Sequence, residues 1–202
     1  VNAFTSNDVI AYVSQFPSHQ TSKWLDINSH RFENPVYRLF QSELETVYEE
    51  KNRAMDNAFR VLFDKFFENF FKKHPYGQQN IIGTKEHLKN PSIRKMKEYY
   101  DEYYVANNMY LLLAGDFDAK SIKSKIEKSF GKLNSGPEPS FVSIDEDPFK
   151  GREVVTKRLT PIRFGMLGFR MPKPKHEDNI TINVIQNIFN NSGATGLLDR
   201  LS

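Results

Sequence analysis

The feature that most constrains this chain is an apolar stripe in its first half. From Val36 to Lys72, hydrophobic side chains recur at Phe40, Leu44, Val47, Ala54, Ala58, Leu62, Phe66 and Phe70. The steps are threes and fours, apart from one seven-residue step across Lys51. Side chains at that spacing share one face of an α-helix, and an apolar face of that length has to be covered. The spacing predicts a long helix over this stretch, kinked around Asn52.

The segments around it alternate in type. "VIAYVSQFP" places Ile10, Tyr12, Ser14 and Phe16 on one side, so a strand is expected over residues 3–16, stopped by Pro17. Ser18 can start a helix carrying Trp24, Leu25 and Ile27, which ends before Asn34-Pro35. "HPYG" at 74–77 is turn chemistry. A short helix is expected at 84–89, and a longer one over 92–104 that opens at Pro91-Ser92. "MYLLLAGDFD", residues 109–118, is a continuous apolar run ending in Gly-Asp and reads as a buried strand; residues 119–130 return to a helical pattern.

"LNSGPEPSF" and "IDEDPFKGRE" are rich in turn formers and charge, which marks 134–150 as a linker. After it, "EVVTKRL" and "IRFGMLGFRMP" read as strands. "EDNITINVIQNIFNN" reads as a helix with Ile180, Val184, Ile185 and Ile188 inward, and "SGATGLLDRLS" opens a further element. The expected organisation is a first domain over 1–133, the linker, and the beginning of a second, structurally similar domain over 151–202. The fold class is α+β, with helices packed on one face of a mainly antiparallel sheet and the 109–118 strand in its interior beside the strand of "NAFTS".

Within the long helix lies "ELETVYEEKNR", residues 43–53. Seven residues are nearly two helical turns, so Glu43 and Glu50 project within about 20° of each other, at the border of the apolar stripe. Glu45 and Glu49 point elsewhere, toward solvent. Two readings stand side by side. Border glutamates commonly reach out to water. A carboxylate pair can also serve a polar or metal site, since carboxylates are hard ligands for zinc, although two of them do not complete a site.

The remaining chemistry-bearing residues narrow the field. The chain has no cysteine, hence no disulfide and no thiolate ligand. Its 28 basic and 25 acidic side chains are interspersed, without the basic stripe of a dedicated nucleic-acid binder. No apolar run approaches the roughly 20 residues of a membrane span. Of the five histidines, His30 in "HRFEN" is one residue short of the inverted zinc motif H-x-x-E-H, because Asn34 stands at the second histidine position. It reads as a surface loop histidine, His74 as a turn residue, and His19, His87 and His176 as isolated.

Taken in order, "NAFTS", "ELETVYEE", "HPYGQQNIIGTKEHL" and "YYDEYYVANNMYLLLAGDFD" resemble the pitrilysin/insulinase family of zinc metallopeptidases, which includes the mitochondrial processing peptidase. The resemblance covers most of residues 1–130. "IRFGMLGFRMP" and "NNSGATGLLDRL" resemble the opening of that family's second, repeated domain.

The resemblance implies a zinc endopeptidase acting on peptides or small proteins. An H-x-x-E-H helix supplies two histidine ligands and the general-base glutamate in that family. Glu50 matches the third zinc ligand, and Glu43 matches the assisting catalytic carboxylate. Asn2 and Ala3 match main-chain contacts to a substrate added as a strand, and Phe4 a neighbouring pocket wall. The H-x-x-E-H motif is absent here, so the chain is expected to be a fragment lacking that upstream helix, inactive and a poor zinc binder alone. The expected partners are a peptide or protein substrate and a second half or partner subunit of the same fold. The alternative is a non-catalytic homologue that clamps substrate or a partner. The expected source is bacterial, with cytoplasm and periplasm both open.

Overall fold

A computed structural model describes residues 2–140, 142–158, 161, 163–173, 175–191, 193 and 195–198. The chain divides into two compact units, residues 1–162 and 163–202.

The first unit opens with a hairpin. Strand β1 (Asn2–Thr5) pairs antiparallel with strand β2 (Ile10–Val13), Asn2 facing Val13 and Thr5 facing Ile10. The expected single strand over 3–16 is therefore two strands. "SND" supplies the turn between them, closed by the Ser6 N–H donating to the Val9 carbonyl at 2.8 Å, with the Val9 N–H donating to Ser6 Oγ at 3.2 Å. Short polar side chains that bond to nearby backbone favour turns in this way.

Helix α1 (Thr21–Glu33) begins after a short turn of 3₁₀ helix and packs on the later helix α7 (Ala119–Phe130). Their contact holds the buried centre of the unit: Leu25, only 1% exposed, and Ile122. Phe16 stacks on Trp24 with ring centroids 5.0 Å apart, and Trp24 lies 6.4 Å from Phe130. The Asp118 carboxylate caps α7 by accepting from the Ser121 N–H at 2.6 Å.

The long apolar stripe forms two helices, α2 (Phe40–Asp56) and α3 (Ala58–Phe70). The break falls at Asn57 instead of Asn52. Asn57 is extended (φ −86°, ψ 105°) and its side-chain oxygen accepts from the Arg60 N–H, so it ends one helix and caps the next. No residue of α2 is fully buried, which explains how Lys51 is tolerated within the stripe. Along α3 the phenylalanines stack at one-turn spacing, Phe66 on Phe70 at 5.3 Å and Phe63 on Phe67 at 4.6 Å.

"HPYGQ" then makes a single turn, α4 (Pro75–Gln78), folded back on the end of α3. His74 Nδ1 accepts from the Tyr76 N–H at 3.2 Å, and Pro75 takes the first helical position, where it has no hydrogen bond to lose. The Gln78 side chain donates to the Phe71 carbonyl at 2.7 Å, satisfying an acceptor that α3 leaves open at its C-terminus. Helix α5 (Lys85–Lys89) starts in a capping box between Thr84 and His87 and packs on α2. Helix α6 (Ile93–Tyr103) is capped by Ser92. The Tyr100 hydroxyl donates to the Phe32 carbonyl at 2.7 Å, tying α6 to the end of α1.

Beyond α7, the described residues of 134–158 have no regular structure, yet they are held to the first unit. The Ala106 N–H donates to the Asn134 carbonyl, and the Asn107 side chain bonds both polar backbone atoms of Gly136 at 3.0 Å. Farther along, one oxygen of Glu146 accepts from the backbone N–H groups of Lys73 and His74, both at 2.7 Å. Lys73 pairs with Asp147 and Lys72 with Glu153, while Phe149 lies 5.5 Å from Phe70.

In the second unit, helix α8 (Asn179–Phe189) is followed by chain that folds back onto it, the N–H groups of Leu197 and Leu198 donating to the carbonyls of Ile188 and Phe189. Residues 192, 194 and 199–202 of the closing stretch lie outside the described residues. The side chains of Ile180, Val184, Ile185 and Ile188, expected inward, are exposed.

The mainly antiparallel sheet is not formed among the described residues, which hold one two-stranded sheet and are dominated by helix. Residues 109–114 have no strand partner among the described residues, and the run is not buried: Tyr110 is 94% and Leu112 87% exposed on one face, while on the other Leu111 is 38% exposed and Met109 and Leu113 are half-buried. The stretches 153–158 and 163–172, also expected as strands, are without strand among their described residues. An extended run is a strand only when a neighbour takes up its N–H and C=O groups.

Gly77 gives a test of the α3–α4 contact. A Cβ there would land on the carbonyl oxygens of Phe67 and Phe71 and 2.9 Å from the Phe71 Cβ. Gly77→Ala is expected to cost roughly 1–3 kcal/mol and to lower the midpoint of thermal unfolding. A wild-type melting curve for that variant would mean that α4 does not pack on α3 as described.

Candidate active site

The two glutamates singled out from the sequence sit on one uninterrupted helix. Glu43 lies in the first turn of α2 and Glu50 two turns on; both are exposed. The main packing neighbours of α2 are α3 and α5, and those of β1 lie in β2. Glu45 and Glu49 are also exposed, but they face a particular surface. With Gln41, Leu44, Tyr48 and Leu88 they line a shallow groove of about 470 Å³ between α2 and the α5 region. Gln41 Nε2 donates to Glu45 Oε1 at 3.2 Å.

Asn2, Ala3 and Phe4 lie on β1, and all three are exposed. The ladder dictates which backbone groups are available. Ser6 and Val9 form a hydrogen-bonded pair at the turn, and such pairs alternate along an antiparallel ladder. In the observed register, Phe4 and Asn2 point their polar backbone groups at β2, whereas Ala3 and Thr5 point theirs outward. Among the described residues no strand pairs with that outer edge. The Ala3 N–H is taken locally, donating to Asn2 Oδ1 at 2.9 Å.

The hairpin is held at two places. At its open end, Tyr12 of β2 meets Phe32 edge-on at 5.3 Å, and its hydroxyl lies 2.9 Å from that of Tyr104. Tyr104 stacks on Tyr100 at 4.3 Å. At its turn, the Tyr76 hydroxyl donates to the Asp8 carboxylate, 2.7 and 2.6 Å from its two oxygens. That bond, followed by desolvation, raises the Tyr76 phenol above its ordinary value. Neither Asp8 nor Tyr76 was singled out from the sequence. "HPYG" and "SNDV" both show turn chemistry, but nothing in their spacing brings the two turns together.

The histidines serve the fold. His74 and His87 cap helices through Nδ1. His30 is exposed on the last turn of α1, on helix instead of loop.

Zinc, which the resemblance implies, needs three or four protein donors held together. Among the described residues no three His, Cys, Asp or Glu side chains are grouped so as to hold a metal ion. Glu43 and Glu50 are suitable donor types, but they do not complete a zinc site. No helix among the described residues is long and apolar enough to cross a membrane.

Comparison with known proteins settles the family. A family model described as the peptidase M16 inactive domain matches residues 92–202, more than half of the chain. The chain belongs to the M16 peptidases, the pitrilysin/insulinase family. It is 26% identical over 143 residues to an uncharacterized zinc protease of Rickettsia felis, covering 70% of this chain and 34% of that protein. It is 24% identical to the zinc protease PqqE of Helicobacter pylori over 207 residues, covering 99% of this chain and 46% of that protein. It is 22% identical over 135 residues to the mitochondrial-processing peptidase subunit beta of Dictyostelium discoideum, 66% of this chain and 29% of that protein. The M16 chain thus spans less than half of these relatives' length, from 29% to 46%.

The phenol cluster beside the hairpin gives a pH prediction. Burial, with Tyr37, Tyr12 and Asp101 adding, pushes Tyr100 up from 10.0 to about 12. A raised folded-state value favours the neutral phenol, so its contribution is whole below pH about 10 and is lost as pH climbs toward about 12. Denaturant midpoints measured across that window should fall less steeply in Tyr100→Phe than in wild type. Parallel profiles would show that Tyr100 is not buried in this way.

Proposed function

We propose that this chain is part of a zinc endopeptidase that hydrolyses peptides or small proteins, in which it supplies a metal-ligating carboxylate and the edge strand that receives the substrate. One observation supports the reading: the segment that resembles the family's third-ligand helix forms an unbroken helix with Glu43 and Glu50 exposed, two turns apart on one side, in a chain whose β1 edge is unpaired among the described residues. Residues 1–133 then belong to a first peptidase-like domain, 134–150 to the connection, and 151–202 to the beginning of a second.

Each residue has a role suited to its chemistry. Glu50 is the third zinc ligand and Glu43 the assisting carboxylate; the other donors come from residues outside this chain. Bound zinc supplies Lewis-acid polarisation and a water of lowered pKa. On β1, the outward backbone groups of Ala3 and Thr5 pair with an extended peptide, which fixes its direction and register, while Asn2 and Phe4 border its side chains. The other half or partner subunit of the same fold covers the open apolar faces and closes over the peptide.

A second reading has an observation of its own. The matching family model is that of an inactive domain, as expected of a non-catalytic homologue that clamps substrate. That match begins at residue 92, beyond both α2 and β1, so it bears on the later part of the chain and leaves the glutamate pair to the first reading.

The two readings part on zinc. In the full-length protein, Glu50→Gln should lose most of its zinc and on the order of a hundredfold or more in peptidase rate, because an amide is a poor ligand and carries no charge. Glu43→Gln should keep most of its zinc and lose activity, and Glu45→Gln should resemble wild type. Atomic absorption on the three variants decides. A full zinc complement in Glu50→Gln removes the ligand assignment, and three indistinguishable variants return the pair to a solvated helix face.

A further inference from the structure

Several features outside the glutamate pair are candidates for function. The groove beside Glu45 and Glu49 has no feature that selects an occupant. The apolar faces of α8 and of residues 109–114 show nothing of what covers them. The structure does, however, join the connecting segment to the candidate substrate strand through an unbroken series of polar contacts, all within the first unit.

The series begins at Glu146, whose carboxylate accepts both N–H groups at the start of the "HPYG" turn, those of Lys73 and His74. A carboxylate on two backbone donors is a strong, directional contact. It fixes the backbone at His74, which caps α4 through Nδ1 and the Tyr76 N–H. Gly77, with no room for a side chain, presses that turn onto the end of α3. The Tyr76 ring is thereby wedged between Phe71 at 5.7 Å and His74 at 4.3 Å, and its hydroxyl reaches Asp8 in the β1–β2 turn. Asp8 lies three residues from the end of β1. The hairpin itself is short, its strands four residues each, and its side chains are largely exposed, so beyond the Tyr12 contacts at its open end it has little packing to define where the outer edge lies at the turn end.

We propose that Tyr76 is a positioning residue for substrate: by holding the Asp8 carboxylate it fixes the hairpin turn, and with it the outer edge of β1, in the attitude that accepts a peptide strand, while Glu146 from the connecting segment fixes Tyr76 in turn. The inference rests on β1 being the edge that receives substrate. It adds a dependence on a contact remote from that edge and ties the strand's position to the segment joining the two domains. The energetic logic is preorganisation. An edge already held in place spares the peptide the cost of ordering it, so loss of the hold shows mainly as weaker binding.

Full-length protein carrying Tyr76→Phe, Asp8→Ala, Asp8→Asn or Thr5→Pro tests this with two measurements. Tyr76→Phe retains the ring and its packing and removes only the hydroxyl. Hydrogen exchange at the Phe4 and Ala11 amides is expected to quicken about tenfold in Tyr76→Phe and Asp8→Ala, the effect of losing one charge-assisted hydrogen bond. On an internally quenched peptide selected from a mixed-sequence library for cleavage by the wild type, KM should rise by a similar factor in both with kcat within about twofold. Asp8→Asn, which still offers an acceptor, should recover most of the loss. The double variant Tyr76→Phe/Asp8→Ala should be no worse than either single one. Unchanged amide exchange in Tyr76→Phe overturns the proposal whatever the activity. So does faster exchange with an unchanged KM. Thr5→Pro, which deletes one outward N–H, tests the underlying reading separately. If it leaves KM alone, β1 is not the substrate edge; if it raises KM while Tyr76→Phe does not, the edge stands and the relay falls.

Discussion

The phenol cluster formed by Tyr12, Phe32, Tyr100 and Tyr104 is the contact on which the arrangement of the first unit depends. It brings together residues far apart in the chain: the hairpin, the end of α1 and the end of α6. Tyrosine suits such a place because its ring offers apolar area while its hydroxyl can find a polar partner at the far end. Here two of the hydroxyls meet each other and a third finds a backbone carbonyl at the end of α1. Without this seam β1 and β2 would be tied to the rest of the unit chiefly by the Tyr76–Asp8 contact at their turn, and a two-stranded hairpin with little support is marginal in water.

Most of the helices were legible because helices declare themselves locally. Ser92, Thr84 and Asp118 stand where caps are expected, and each accepts a backbone N–H in the structure. The Asn57 break was misplaced because Asn52 and Asn57 are both plausible interruptions, and only the capping bond to Arg60 distinguishes them. The sheet was the least legible part. Alternation and apolar runs show that a segment could be a strand, but pairing is a property of two segments, and residues 109–114 find no second one among the described residues.

The site divides along the same line. The placement of Glu43 and Glu50 on one side of the helix, two turns apart, follows from helical geometry alone and needs no tertiary information. What surrounds them does not follow: neither the groove that takes in Glu45 and Glu49 nor the meeting of Asp8 with Tyr76 is encoded in any local spacing. The family resemblance lay in the order of four blocks, a property of the whole segment that no one block carries. The connecting segment shows how little composition says about tertiary contacts. Turn formers and charge marked it as a linker, yet the Glu146 carboxylate and the Asn107 side chain hold it down through bonds to distant backbone groups that no local spacing announces.

The Asn2 carboxamide gives the outer edge of β1 a property of another kind. An uncovered strand edge is indiscriminate, since any extended chain carries the groups to pair with it, and exposed edges are where sheets of different molecules fuse. Asn2 Oδ1 already occupies the outward N–H of Ala3. A passing strand therefore trades one N–H···O bond for another and gains nothing at that position. The remaining outward groups, those of Thr5 among them, and the side chains along the strand then carry more of what decides whether a chain stays. A single short amide side chain on the strand itself thus lowers, at that one position, the gain that indiscriminate pairing would bring.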